Sequence, residues 1–347
     1  MTRLSLALGL LVLLGGGGLR ANPEPFRYCT VSGTTILDPD HKPIRWRGFN
    51  VQWWTQVTDK EAADVQGLGA NCVRYMFGYN PKGQYDPAQI EQLERHIQCF
   101  TKRGIWVIPV LYTFEIPDPA FPADSKKKLG PWSNPEMKEE FTALWRDVMS
   151  RLDKDPYVAA WEPMNEPHDT PAPIVAAWYR DIVPNLFRQR DHLRPIVVEG
   201  ANYSHAEDLT DEFKMDDPNI IYAFHFYDPY NFTTDIQTPP LPYPGQWNKA
   251  YLQEKIDRAR LFREKHQVPV WCGEFGSKTA APGYGPWIRD VYDILEENHF
   301  DWCLWAWAVQ PKDLTNTSFD INTDKKETCQ LAKELFHDAL FPKTPSP

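Results

Sequence analysis

At 347 residues, 42% of them hydrophobic, the chain is long enough for two domains, yet one barrel of alternating strands and helices commonly takes this length. A formal charge of -10 argues against nucleic acid as a partner, because phosphate backbones select clustered Lys and Arg. The basic cluster Lys126 to Lys128 falls in a Pro-rich loop and reads as a solvated surface tract. No CxxC or His-rich spacing points to a metal, and no cofactor is expected.

In chain order, the first segment reads as a leader. Arg3 supplies positive charge, and Leu4 to Leu14 form an apolar run of eleven residues, short of the roughly 20 needed to span a bilayer. The expectation is a signal peptide over residues 1–21 and an exported, secreted or periplasmic monomer with no membrane contact beyond export; a lipid or uncleaved anchor stays open as the alternative. Residues 22–347 read as a single domain. Three sequons, at Asn202, Asn231 and Asn316, matter only in a eukaryotic secretory pathway. Six Cys allow fifteen full disulfide pairings; Cys72, Cys272 and Cys303 lie in apolar runs and read as small buried thiols.

Residues 28–46 read as a β-hairpin turning at Asp38-Pro-Asp-His-Lys. Eight short β-rich runs follow, at 46–51, 70–76, 105–112, 157–162, 195–199, 219–226, 268–273 and 302–309. Helical periodicity occupies 58–68, 86–103, 134–153, 172–190, 247–266 and 286–298, and 326–340 closes the chain. In 134–153, Phe141, Leu144, Trp145, Val148 and Leu152 recur at helical spacing behind the start signal Asn134-Pro135. The link between the fifth and sixth strands lacks a long helix. This alternation predicts an α/β fold, a (β/α)8 TIM barrel with an N-terminal β-hairpin. The alternative is an open doubly wound sheet, but no Gly-rich phosphate loop follows its first strand; Gly15 to Gly18 lies in the leader.

Barrel active sites lie at the C-terminal ends of the strands. The residues there are Asn50, Arg74, Tyr112, Asn165, Glu166, Glu199, Tyr203, His225, Tyr227, Glu274, Trp305 and Trp307. Glu166 and Glu274 end different strands, 108 positions apart, and each follows an apolar run. A carboxylate drawn toward a barrel mouth loses hydration, so it must be either paired for structure or placed for chemistry. Glycoside hydrolysis needs two carboxyl groups in opposite protonation states, a split that local environment can impose. Arg74, His225 and Tyr227 are suitable neighbours for that purpose. Each also has a plainer reading, as a surface ion pair, a satisfied core His and a packed Tyr.

The run Trp161-Glu-Pro-Met-Asn-Glu-Pro167 resembles the fourth-strand signature of family five glycoside hydrolases, retaining glycosidases of the large barrel clan. Trp271-Cys-Gly-Glu-Phe-Gly276 is similar to that family's seventh-strand nucleophile motif. His225-Phe-Tyr227, Asn71-Cys-Val-Arg74, Gly48-Phe-Asn50 and Leu304-Trp-Ala-Trp-Ala resemble its motifs on strands six, two, one and eight. The resemblance runs from about residue 46 to 310. It implies Glu166 as acid/base and Glu274 as nucleophile, with Arg74, Asn165, His225, Tyr227, Trp307, Tyr112, Asn50 and Tyr203 toward the substrate. Trp305 and Trp307 share strand parity, and the motif favours Trp307. Glu162 reads as scaffold, and Glu199 is a weaker candidate. Where many members carry a His near the end of strand three, this chain offers Tyr112, a departure from the typical cellulase subgroup.

The function expected is endo-acting hydrolysis of a β-1,4-linked polysaccharide, glucan or mannan. An exo-acting β-glucosidase and a glycolipid glycosidase stay open. So does an inactive carbohydrate-binding barrel, although a pure binder has no need of both glutamates. A metal-dependent hydrolase is disfavoured by the lack of clustered His and Asp at strand ends. Loops 113–134 and 228–247, with Trp132, Tyr230, Tyr243 and Trp247, are expected to wall the cleft.

Overall fold

A computed structural model describes residues 28–78, 87–114, 116–117, 120, 128–236, 240–307 and 326–340. The expected leader, the Asn316 sequon and most of the basic cluster lie outside them. Seven parallel strands form one continuous ladder. They are β1 (Arg47–Gln52), β2 (Cys72–Phe77), β3 (Trp106–Leu111), β5 (Ile196–Glu199), β6 (Ile220–Phe226), β7 (Val270–Phe275) and β8 (Asp301–Leu304). Their order, β3-β2-β1-β8-β7-β6-β5, leaves β3 and β5 at the edges.

Residues 158–162, numbered β4 for their place, close that gap with isolated parallel bridges. Val158 and Glu162 pair with Val107 and Val110 of β3, and Trp161 pairs with Ile196 of β5. Pro109 explains why no full ladder forms. The amide and carbonyl of Val107 both bond toward β4, so two residues on Pro109 faces the same way with no N–H to give. The amides of Ala159, Glu162 and Asn165 then reach the carbonyls of Val107, Pro109 and Leu111. Three residues on this side span two on β3, the stretched count of a bulged strand.

Helices α1 (Asp59–Gly67), α2 (Pro87–Thr101), α3 (Pro135–Leu152) and α4 (Ala172–Ile182) follow β1 to β4. Helices α5 (Lys249–His266), α6 (Tyr284–Glu297) and α7 (Lys326–Leu340) follow β6 to β8. The Asn134 side chain caps α3 by accepting from the Met137 amide at 3.0 Å, with Pro135 at the first helical position. Between β5 and β6 lie only two 3-10 turns, Ala206–Asp208 and Asp211–Phe213, matching the missing helical period there. The N-terminal hairpin extends to a three-stranded meander, Thr30–Ser32, Thr35–Leu37 and Pro43–Ile44. The Asp38 turn joins its second and third strands rather than its first and second.

Strand parity sorts the core into two layers. One cluster joins the outer strand faces to the helices; the other fills the lumen with residues such as Cys72, Ala160, Val197 and Ala223. Cys29, Ile36 and Trp46 of the N-terminal segment close this second cluster from below. Two positions further along the same strands stand Arg74, Glu162, Glu199 and His225, all buried. The lumen is therefore apolar at its base and charged at the C-terminal end. Cys72, Cys272 and Cys303 are buried free thiols, as read from the sequence.

Gly48 of β1 stands opposite Cys72 of β2. A Cβ there would sit 1.9 Å from the Cys72 carbonyl oxygen and 2.8 Å from its sulfur. Gly48→Ala should therefore destabilise the barrel by about 3 kcal/mol or more. A urea titration checks this through the unfolding midpoint; a midpoint within error of the parent would remove the steric account.

Candidate active site

Arg74 is fully buried and faces three carboxylates. Its Nε and Nη2 grip the two oxygens of Glu162 at 2.8 and 2.7 Å. Nη2 also reaches Asn165 Oδ1 and Glu199 Oε1, each at 2.8 Å. Nη1 donates to Glu274 Oε1 at 2.6 Å and to Asn50 Oδ1 at 3.1 Å. Asn50 passes the chain of bonds on, donating to the Gly273 carbonyl at 2.9 Å. Gly273 is the extra residue where the β6–β7 register slips, so Phe224 faces Cys272 while His225 faces Glu274. A Cβ on Gly273 would meet His225 Nε2 at 2.9 Å. The residue that re-aims Glu274 thus also leaves room for the imidazole.

Glu166 follows β4 in a left-handed backbone conformation, φ 47°, which a non-glycine residue adopts at a cost of order 1–3 kcal/mol. Its amide donates to Glu199 Oε2 at 2.6 Å, which fixes the turn. His225 Nδ1 lies 2.7 Å from Glu166 Oε1. Burial pushes the Glu166 carboxyl up to about 7 against the pull of Arg74. Burial also lowers His225 to about 4, so the imidazole is neutral at neutral pH. Burial raises Glu274 as well, with His225, Arg74 and the Tyr227 hydroxyl opposing and Glu166 adding to the rise. The partners differ. Glu274 holds a guanidinium on one oxygen and the Tyr227 hydroxyl, at 2.7 Å, on the other. A carboxylate oxygen of Glu166 lies within 4.8 Å of one of Glu274.

This carboxylate and imidazole cluster is compact enough to ligate a cation. Arg74 already supplies positive charge at its centre, so the donor set fits a guanidinium better than a metal ion.

Above the charged layer opens a cleft of about 690 Å³. Of the predicted residues, Tyr112, Asn165, Glu166, Tyr203, Tyr227 and Glu274 line it. Arg74, Asn50 and His225 do not; each is at most 1% exposed and lies beneath the cleft floor, under the residues that line it. Trp307 is likewise 1% exposed and packs on Phe49, ring centroids 5.4 Å apart. Trp305 lines the cleft in its place. Strand parity could not decide between them, because β8 ends at Leu304 and alternation stops with it. Glu162 is scaffold, gripped by Arg74 as described, and Glu199 lies deeper in the network than expected.

His205, Asp228 and Thr234 also line the cleft and carried no motif. His205 arrives there behind three successive left-handed residues, Asn202, Tyr203 and Ser204 (φ 59°, 65° and 57°), which sequence does not announce. Of the loop aromatics expected to wall the cleft, Tyr230 reaches it, 58% exposed. Trp132, Tyr243 and Trp247 pack instead against the strand–helix core.

The family described as Cellulase (glycosyl hydrolase family 5) matches residues 37–310, which include all eight barrel segments. The chain belongs to glycosyl hydrolase family 5. Among family 5 relatives it is similar to Endoglucanase C of Acetivibrio thermocellus, 22% identical over 305 residues, 76% of this chain and 87% of that protein. It is also similar to Cellodextrinase A of Ruminococcus flavefaciens, 24% identical over 315 residues, 81% of this chain and 90% of that protein. The structure of Thermotoga maritima Cel5A in complex with cellobiose superposes with a TM-score of 0.69 at 18% identity, covering 84% of this chain and 96% of that one. Cellulose synthase subunit Z of Clostridioides difficile gives 0.68 at 19% identity, covering 84% and 99%. The protein is therefore a glycosyl hydrolase on a TIM barrel.

The raised Glu166 carboxyl has a stability consequence in this family 5 barrel. Between the ordinary carboxylate range and about pH 7 the unfolded chain releases the Glu166 proton while the folded protein keeps it. Folding stability contributed by this group therefore falls as pH rises through that window. Glu166→Gln should match the parent near pH 4 and exceed it by up to about 3 kcal/mol above pH 7. Denaturant unfolding at both pH values tests this. A difference that stays constant with pH would mean Glu166 is not raised.

Proposed function

We propose that the protein is a secreted, retaining endo-β-1,4-glucanase with Glu166 as general acid/base and Glu274 as nucleophile. The observation that carries this reading is the close approach of the two carboxylates, each with different partners. Retaining enzymes hold their carboxyl groups about 5–5.5 Å apart, whereas inverting enzymes leave a gap of about 6.5 Å or more for a water. Glu274, with Arg74 and Tyr227 on separate oxygens, is suited to act ionised. Glu166, raised to about 7 and beside a neutral imidazole, is suited to hold a proton.

In the first step Glu274 attacks the anomeric carbon as the glycosidic C–O bond breaks and Glu166 protonates the leaving oxygen. In the second, Glu166 takes a proton from water, the water oxygen bonds to the anomeric carbon, and Glu274 leaves. Asn165 Oδ1 accepts from Arg74, which leaves the side-chain amide N–H groups for a sugar 2-hydroxyl. Trp305 and the tyrosines supply ring faces for pyranoses. The choice of glucan follows the endoglucanase and cellodextrinase names of the relatives, and secretion follows the leader-like residues 1–21.

Incubation with carboxymethylcellulose and mixed-linkage glucan should release oligomers of mixed length early. A single small product from the start would overturn endo action. Glu274→Gln should abolish turnover on every substrate. Glu166→Ala should lose ~10³-fold on cellooligosaccharides but much less on aryl glycosides whose leaving groups need no proton. For the parent, kcat/KM should fall as pH rises through about 7, where Glu166 loses its proton. Equal losses on both substrate types would exclude Glu166 as the acid.

A further inference from the structure

The contacts around Arg74 do not balance in hydrogens. A guanidinium carries five N–H bonds, and only two of them are on Nη2. Yet Nη2 lies within 2.7–2.8 Å of three oxygens, Glu162 Oε1, Asn165 Oδ1 and Glu199 Oε1. Both hydrogens of Nη1 are taken by Glu274 and Asn50, and that of Nε by Glu162. Six acceptor contacts thus face five donors. The charge count falls short in the same direction, since one buried cation faces three carboxylates whose side chains are at most 4% exposed. An uncompensated charge in that setting costs several kcal/mol, and a carboxyl group avoids the cost by keeping its proton. The supernumerary contact therefore needs a proton on one of the carboxyls.

Glu199 is the one placed to carry it. Glu162 is held on both oxygens by Arg74 in the bidentate geometry of an ionised carboxylate. Glu274 takes Arg74 and Tyr227 on separate oxygens. Glu199 Oε2 already accepts from the Glu166 amide and from Ser204 Oγ, which leaves Oε1, held on the same Arg74 Nη2 as Glu162 Oε1, to bond with Glu162. We propose that Glu199 keeps one proton, shared with Glu162, across the working pH range, and that as a neutral carboxyl it is the positioning residue for Glu166 and His225.

The charged and titratable groups facing Glu199 are Arg74 on β2, Glu162 on β4, Tyr179 on α4 and His225 on β6. His225 Nε2 stands 3.6 Å from Glu199 Oε1, and the Tyr179 hydroxyl 3.4 Å from the Glu199 amide. Burial and the nearby Glu162 push the Glu199 carboxyl well above the ordinary range. Burial acts the same way on Glu162, but Arg74, the hydrogen bond with Glu199 and His225 together outweigh it and hold that group low. An ionised Glu199 would place a negative charge against His225 and behind Glu166. It would draw a proton onto the imidazole and make Glu166 a weaker acid. Kept neutral, it fixes the Glu166 turn through its bond to the amide without that penalty.

The kinetic part of this proposal rests on Glu166 being the acid/base; the protonation itself does not. Infrared spectra of the resting full chain should show a protonated carboxylic acid carbonyl band that persists well above pH 7. Glu166→Gln should keep the band and Glu199→Gln should remove it. Absence of the band in the parent, or its survival in Glu199→Gln, would overturn the proposal whether or not any glucan is cleaved. Glutamine keeps the shape and the neutrality and brings acceptors and donors into balance. Glu199→Gln should therefore hold kcat/KM on cellooligosaccharides, which need the acid, within about threefold and leave the alkaline limb of the pH profile in place. Glu199→Leu removes the bond to the Glu166 amide and should cost more than about tenfold on substrates that need the acid. A shifted limb in Glu199→Gln, or a loss in it equal to that of Glu199→Leu, would equally overturn the positioning role.

Discussion

One buried guanidinium organises the upper half of this barrel. Arg74 rises from β2 into the lumen and is contacted by side chains of β1, β4 and its following turn, β5 and β7. Each partner is fixed because Arg74 offers its donors in one plane and at set angles. A lysine would present a single mobile charge and could not hold so many oxygens in register. Burying this much charge is weak evidence for stability, since replacing such networks by apolar groups is often neutral or stabilising. The lumen base of Cys72, Ala160, Val197 and Ala223 shows that the same strands pack apolar residues two positions earlier. The charged layer is confined to the end where chemistry occurs, which is what a functional rather than structural demand produces.

The two glutamates reach that layer by different irregularities. Glu274 is turned by the extra residue Gly273, and Glu166 by the stretched pairing beyond Pro109 and a left-handed residue. Neither regular strand geometry nor a regular turn would bring two carboxylates so close, because successive barrel strands stand roughly 4.8 Å apart and these two are not neighbours. Backbone strain at Glu166 is offset by the bond from its amide to Glu199. The side chain that holds the network charge low thus also holds the turn.

Much of this was legible in the sequence, for a physical reason. Strand runs and helical periods survive in a linear chain because each side chain faces the same layer at fixed intervals, and so the eight-fold alternation and the helix-poor β5–β6 link could be read directly. The carboxylates stood out because charge directly after an apolar run is costly without a partner. Depth was not legible. Arg74, Asn50 and His225 were read as touching substrate, yet they lie under the floor, because motif order gives the strand end but not the height within the lumen. The motif favours Trp307 over Trp305, and the shared parity that would place both rings ends with the strand at Leu304. Trp132, Tyr243 and Trp247 were read as cleft walls because an aromatic in a loop looks the same whether it turns inward or outward. His205 depends on three left-handed residues that have no glycine to signal them.

The aromatic rings around the carboxylates suggest how a polymer would be held. On the β1 and β3 side, Trp53, Trp54 and Tyr112 form one cluster, with ring centroids 4.1 Å apart between the tryptophans and 4.9 Å between Trp53 and Tyr112. On the β5 side, Tyr203 stacks on His168 at 4.4 Å and nearly parallel, and Tyr230 stands exposed beyond β6. Tyr112 of the first group and Tyr203 and Tyr230 of the second line the same cleft as the two carboxylates. Flat apolar faces with polar edges match the alternating faces of a β-linked pyranose chain, and such contacts depend on ring area more than on directional bonds. Aromatic surface on both flanks lets binding energy from sugars remote from the cleaved bond hold the chain in register over Glu166 and Glu274. A site serving only a terminal residue would gain little from the second flank. Among the described residues, the placement of these rings is thus a physical reason to favour internal cleavage over removal of end groups.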